Sequence, residues 1–346
     1  MINFKGNSMR TDFHLGKHRR RNSKVIQRVA SGNAKAKNGG KSAYITIAVL
    51  IAAFLLFFFL NDRFFKIDGI PTWDDLYKGA GLSSVTAEVE GDVSVHFIDV
   101  GQGDCELIKT QSKAVLIDCG EKDYYADVID YIKSENIKYL DYVIVTHPHS
   151  DHAGGMSFIL DEFDIGTVIM PKIQESVLPT TSTYARLLKS IGNKSIDVKY
   201  AVPGQKYKLD DGELTLLSPV KDYDDLNNYS VAVKFTHGEN TFLFTGDIEK
   251  EAESDILEKG YDVSADVLKV AHHGSSTSSR KSFINAVSPK YAVIEVGAPN
   301  SYNHPNDETV QRLENKDIII YRTDLYGSIV FVSDGSTLNI LTEKEP

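Results

Sequence analysis

The chain reads as an α/β protein whose strands end in metal-binding side chains. Short apolar runs of buried-strand type, such as Tyr142-Val143-Ile144-Val145 and Phe242-Leu243-Phe244, alternate with stretches of helical length. Four strand ends carry His or Asp groups, at 118, 147–152, 247 and 272–273, and His304 lies in the loop after a fifth. Open sheets place their sites at such ends. Three of the ten His fall within six residues, His147-Pro148-His149-Ser150-Asp151-His152, too regular a spacing for a chance polar loop.

In chain order, residues 1–42 hold eleven Lys/Arg and one acid, a charge of +10. The remaining residues hold 27 bases against 47 acids, or -20. The arm is too polar to bury a core and is expected to be disordered and cytoplasmic. Residues 43–60 (AYITIAVLIAAFLLFFFL) are eighteen without a charge, enough for a transmembrane helix. The run is apolar all round, unlike an amphipathic core helix, and ends without a small-residue cleavage site, unlike a signal peptide. Residues 61–91 read as a linker. The body, 92–342, is then expected outside the cell membrane as one folded domain. Its acidity argues against a broad non-specific grip on nucleic acid. Cys105 and Cys119 belong to no metal-binding CxxC pair, and the sequence leaves open whether they bond.

Within the body, Ser94–Val100, Cys105–Lys109 and Ala114–Asp118 read as strands. Gly101 and Gly103 make a tight turn rather than a dinucleotide loop, because a strand follows where a helix is required. Asp99, Gln102 and Asp104 are candidates to lie behind the site, and His96 reads as structural. A helix from Tyr124 to Lys133 precedes strand Tyr142–Thr146. A helix at 156–162, strand Thr167–Met170, helix Ser182–Ile191 and strand Val198–Val202 follow. Then come antiparallel strands Glu213–Leu217, Val231–Thr236 and Thr241–Thr245. The last two are joined by a hairpin whose tip, His237, is expected to be exposed. Helix Glu249–Lys259, strand Val267–Val270, one more helix and strand Tyr291–Val296 complete the reading.

The chemistry follows from spacing. His147 and His149 leave a strand on the same side of an extended chain, held straight by Pro148. Asp151 and His152 come one turn later and reach a second ion beside the first. Gly154 and Gly155 are expected to let a helix start close to the ions. Asp247, after Gly246, can bridge two cations. Two such ions make a site for splitting an ester or phosphodiester with a metal-activated water. No Ser or Cys sits in a nucleophile elbow.

The order Asp118, His147-x-His149-x-Asp151-His152, Gly246-Asp247 and a late His resembles the metallo-β-lactamase superfamily. More narrowly, FIDVGQGDCELIK, LIDCG, THPHSDHAGG, LFTGD, LKVAHHGSS and NHP resemble the extracellular hydrolase domain of ComEC-type DNA-uptake proteins and related phosphorylcholine esterases, over residues 93–340. The resemblance implies an αββα four-layer sandwich, here preceded by the single transmembrane helix. It implies His147 and His149 on one metal, Asp151 and His152 on the other, Asp247 between them, and Asp118 orienting the motif from behind. His304 best fits the last ligand by order. His272 or His273 would be a proton donor or substrate contact, or one of them a buried His satisfied by a carbonyl. Many relatives place a further His just before the strand that leads to the bridging Asp, where residues 225–230 of this chain include no His, so Asn227 or water would complete a weaker first site. One ion is then expected to bind tightly and a second weakly, zinc by default and manganese where carboxylates dominate. Related proteins carry a many-helix channel, and one apolar span implies no channel domain in this chain. The expected activity is phosphodiester hydrolysis, on nucleic acid or a cell-surface phosphoester. A hydrolase of carboxylic esters or lactams and a non-catalytic DNA- or wall-polymer-binding domain are the alternatives; protein partners are not legible.

Overall fold

The structure, a computed structural model, describes Phe57 and residues 91–345. The expected arm, span and linker otherwise lie outside the described residues. Among the described residues no helix is long and apolar enough to cross a membrane.

Two sheets build the body. The first contains β1 (Val93–Phe97), β2 (Glu106–Lys109), β3 (Ala114–Ile117), β4 (Tyr139–Ile144), β5 (Asp164–Met170), β6 (Asp197–Tyr200), β14 (Ile329–Ser333) and β15 (Leu338–Thr342). Their spatial order is β15-β14-β1-β2-β3-β4-β5-β6. The β3–β6 stretch is parallel and the rest antiparallel. The second contains β7 (Lys206–Leu209), β8 (Gly212–Leu216), β9 (Val233–His237), β10 (Asn240–Phe244), β11 (Val267–Lys269), β12 (Tyr291–Ile294) and β13 (Ile319–Arg322), ordered β13-β12-β11-β10-β9-β8-β7. Here β10–β13 run parallel.

Side chains of period two fill the space between the sheets. Phe97, Ile108, Ile117, Ile144 and Phe331 from the first sheet meet Phe235, Phe242 and Phe244 from the second. Each fully buried side chain of this kind contributes about 1.5–3 kcal/mol. On the outer face of the first sheet lie α1 (Tyr125–Ser134), α2 (Ser150–Ala153), α3 (Met156–Glu162) and α4 (Ser182–Lys194). Helix α1 buries Val128 and Ile132, one turn apart. Helix α4 buries Tyr184, Leu187 and Ile191, starts where Thr181 Oγ1 accepts from the Tyr184 amide, and stops at left-handed Ser195. The second sheet is covered by α5 (Lys250–Glu258), α6 (Lys281–Val287) and α7 (Asp307–Glu314). A single turn, α8 (Thr323–Tyr326), precedes β14. The order is therefore helix, sheet, sheet, helix, the expected mixed α/β architecture.

Strands β7, β13, β14 and β15 and helices α2, α7 and α8 are additions to the sequence reading. Of these, β14 and β15 close the first sheet beside β1, with Val93 opposite Ser333. This closure corrects one expectation. His237 is buried, not exposed, although its hairpin forms as expected. The returning C-terminal segment covers the tip: Glu239 N donates to Gly335 O, and a Cβ on Gly238 would strike that oxygen at 2.1 Å. Ser333 Oγ lies 2.8 Å from His237 Nδ1.

Candidate metal centre

The site lies at the carboxyl ends of β3 and β4 in one sheet and of β10, β11 and β12 in the other. β3 ends in Asp118, which turns the chain with a left-handed φ of 52°. Its Oδ1 accepts from Thr146 N and its Oδ2 from Thr146 Oγ1. That clamp fixes the start of the His147–His152 segment, where Pro148 lies between two ligand-type residues and α2 begins directly after His149. Gly154 and Gly155 serve a different neighbour from the one expected. A Cβ on Gly154 would meet the Lys122 amide at 2.5 Å, so the glycine admits the 121–122 backbone rather than ions. Gly246 (φ 50°) lets Asp247 close over Thr146 and Ser230. Both His272 and His273 adopt φ 52°, which sends the first to the pocket and the second inward.

The imidazoles converge on one carboxylate oxygen. Asp247 Oδ2 lies 3.2 Å from His152 Nε2, 3.7 Å from His272 Nε2, 3.8 Å from His273 Nε2 and 3.9 Å from His147 Nε2. His149 Nδ1 lies 3.0 Å from His147 Nε2, and Asp151 Oδ2 lies 3.4 Å from His273 Nε2. Each inner ring is held from behind. His152 Nδ1 faces Asp118 Oδ2 at 2.8 Å. His273 Nδ1 donates to the Glu295 carbonyl at 2.9 Å, with Asp104 Oδ1 at 3.2 Å. His147 Nδ1 lies 3.2 Å from the hydroxyls of Thr146 and Ser230. These contacts suit protons on the rear nitrogens and leave each Nε2 turned toward Asp247.

Electrostatics agree with a site that demands positive charge. Burial opposes protonation of His152, but Asp247, Asp104 and Asp118 outweigh it and hold its pKa well above the usual imidazole value. For His273 burial likewise opposes, and Asp247 and Asp104 raise it to about 10. Asp247 is buried, which alone would raise its pKa, yet His152 and His273 hold it well below the carboxylate range. His147 is pushed down by burial and by neighbouring His152. A proton or a cation can satisfy this charge. His152 Nε2, His273 Nε2, Asp247 Oδ1 and Asn227 Oδ1 are buried without a hydrogen-bond partner among the described residues. Ligand atoms of Asp104, His152, Asp247 and His273 lie within 4.8 Å of one another. The donor set fits divalent cations.

Sequence reasoning named most of this cluster. Asp118, His147, His149, Asp151, His152, His273 and Asp247 come together, with Asn227 at the wall. His304, favoured by order for the last ligand, stands farther out: its ring centre is 6.3 Å from that of His273, and its Nδ1 has no partner among the described residues. His273 is the late His in the inner group, because the Glu295 carbonyl and Asp104 hold its ring there. Three buried groups were not read as part of the site: Lys269, Glu106 and Glu295. Each looks like an ordinary strand residue until the sheets are assembled. Both cysteines are free and buried.

A pocket of about 380 Å³ opens over the cluster, lined by Gln102, Ser150, Thr181, Thr183 and Tyr302 as well as site residues. Among the described residues no Lys or Arg lines it. Exposed Tyr302 stacks on His304 with ring centres 5.8 Å apart.

The model of the metallo-beta-lactamase superfamily matches residues 98–297. ComE operon protein 3 of Bacillus subtilis (strain 168) is 30% identical over 261 residues, 70% of this chain and 33% of that protein. Competence protein ComA of Neisseria gonorrhoeae is 29% identical over 269 residues, 76% of this chain and 36% of that one. The chain thus spans about a third of the length of these curated relatives. Among solved structures, CmlA, a diiron beta-hydroxylase from Streptomyces venezuelae, is 14% identical with a TM-score of 0.47, over 75% of this chain and 59% of that chain.

Proposed function

Because this chain belongs to the metallo-beta-lactamase superfamily, as a relative of ComEC-type competence proteins, we propose that it is a metal-dependent phosphodiesterase anchored to the outer face of a membrane. The observation that carries the hydrolytic reading is the convergence of four imidazole nitrogens on Asp247 Oδ2, with carboxylates behind the inner rings. His147, His149 and Asp247 would hold one divalent ion, with Asn227 Oδ1 beside them. Asp151, His152, His273 and Asp247 would hold the other, the richer set and the tighter site. When bound, such ions acidify water and polarise a phosphoryl oxygen.

The chain's own residues supply the rest. Asp151 orients the nucleophile's side of the site from the end of the His motif. His272, partly exposed, lies with Nδ1 3.5 Å from Glu249 Oε1 and is placed to pass a proton to a leaving oxygen. Gln102, Thr181 and Thr183 offer neutral hydrogen bonds to the substrate. With no Lys or Arg in the lining among the described residues, the ions and imidazoles are what meet substrate charge there. That favours a diester, with one charge per phosphate, over a monoester. Zinc suits the imidazole-rich set.

The test is hydrolysis of bis(p-nitrophenyl) phosphate by the purified full chain, beside a lactam, a carboxylic ester and single-stranded DNA. Diester cleavage abolished by a chelator and restored by zinc or manganese is expected. Turnover of the lactam or carboxylic ester alone would replace this reading with that of a carbon-ester hydrolase. No turnover of any would leave a binding domain. Anchoring rests on the +10 arm, the apolar run 43–60 and the -20 body. Protease added to intact cells should digest the body and spare the arm; a body protected until lysis refutes the topology.

A further inference from the structure

Beneath the metal cluster lies a pair of opposite charges that the proposed chemistry does not use. Lys269, the last residue of β11, is fully buried, and its Nζ donates to Asp104 Oδ2 at 2.5 Å and to the Val270 carbonyl at 3.2 Å. Asp104, before β2 in the other sheet, turns its second oxygen to His273 Nδ1 at 3.2 Å. A buried ammonium is costly: taking each ion of a pair out of water costs several kcal/mol, and well-packed apolar replacements are often neutral or stabilising. Lys269 follows buried Val267 and Leu268 on β11, but its ammonium faces a buried carboxylate cluster, Asp104 with Glu106 and Glu295, whose oxygens lie within 4.8 Å of one another.

Its placement matches a second arrangement on the same hairpin. Asp118 follows β3 and backs His152; Asp104 precedes β2 and backs His273. The backbone ties are parallel too. Asp104 N donates to Asp151 O at 3.1 Å, and Cys119 N donates to His152 O at 2.9 Å. Thr146 steadies Asp118 through two hydrogen bonds; Lys269 steadies Asp104 through one, from the opposite sheet.

We propose that Lys269 and Asp104 form a positioning pair that aims His273 Nε2 at the metal cluster, the counterpart of Thr146 and Asp118 behind His152. The inference rests on the metal-centre reading above. Its test is the full-length double variant Asp104→Asn/Lys269→Met, which removes both charges and leaves neither alone. Two quantities are read: the melting of the chelated protein, and zinc affinity by competition with a colorimetric chelator. The expected result is a chelated melting point within a few degrees of the wild type and zinc held about 10–100-fold more weakly, the usual cost of losing a ligand's partner. A double variant that binds zinc as tightly as the wild type overturns the proposal. So does one that cannot fold, since the pair then serves the fold itself. A wild-type chain that takes up neither zinc nor manganese removes the metal-centre reading, and this inference with it.

Discussion

His152 and His273 at the rim are as hidden from solvent as His96 and His237 in the sheets, 0% and 1% exposed against 0% and 5%. What separates them is the neighbour of each ring. His96 is closed on both sides by neutral hydroxyls, Tyr131 at 2.9 Å and Ser94 at 2.7 Å, and His237 rests on Ser333. The rim rings have carboxylates behind and Nε2 turned toward Asp247 in front. Burial therefore says nothing about role here. A ring that faces only hydroxyls is part of the fold, and a ring with one nitrogen turned toward Asp247 is part of a site.

The largest break in this contrast should come at the front. Asp247→Asn replaces the shared anion with a neutral amide, and the loss of bound metal and diester turnover should exceed the roughly 10–100-fold typical of partners behind ligands. Asp118→Asn should fall within that range. Asn keeps an acceptor for Thr146 N but no longer neutralises the proton on His152 Nδ1 from behind. Metal content and rate measured together on both variants check the order; equal effects would erase the distinction between front and back.

The closed rings should give effects of another kind. Burial, then the nearby Lys109 charge, lowers the His96 pKa to about 3. Below its ordinary value of 6.5 the unfolded chain binds a proton that the folded one refuses. Stability is therefore lost as pH falls from 6.5 toward 3. Denaturant midpoints of His96→Gln should be flatter than wild type across that window, while diester turnover at neutral pH stays unchanged. His237→Ala should be milder still, costing about 1–3 kcal/mol of stability for the abandoned Ser333 contact, with turnover within about twofold of wild type. A collapse in rate from either would show that hydroxyl-bound rings serve the chemistry after all.

The same contrast explains what could be read from the sequence. The His147–His152 motif was legible because its residues are neighbours and strand geometry aims them. Gly246-Asp247 was legible because it repeats the same strand-end placement. Asp104 was legible as a candidate behind the site, from the turn before β2, but its partner Lys269 was not: 165 residues separate them, and Lys269 lies on a strand whose pattern reads as plain core. His237 was misjudged for a related reason. A hairpin tip is normally wet, and only β14 and β15, whose return to the first sheet no local pattern announces, cover it. The layer architecture followed from the order of apolar runs. The choice of His273 over His304 for the inner group depended on a carbonyl, Glu295 O, that no side-chain pattern reveals.

Asp118, His272 and His273 all hold left-handed backbone, at φ 52°. Such conformations cost on the order of 1–3 kcal/mol for residues other than glycine, and all three fall on groups that carry or steer the chemistry. Robustness and reactivity thus pull these positions in opposite directions. In a library selected for heat resistance alone, glycine and asparagine should accumulate at 118, 272 and 273 before the sheets change at all. A lineage released from the need to cut its substrate would harden as it fell silent, keeping the sandwich and losing the histidines first.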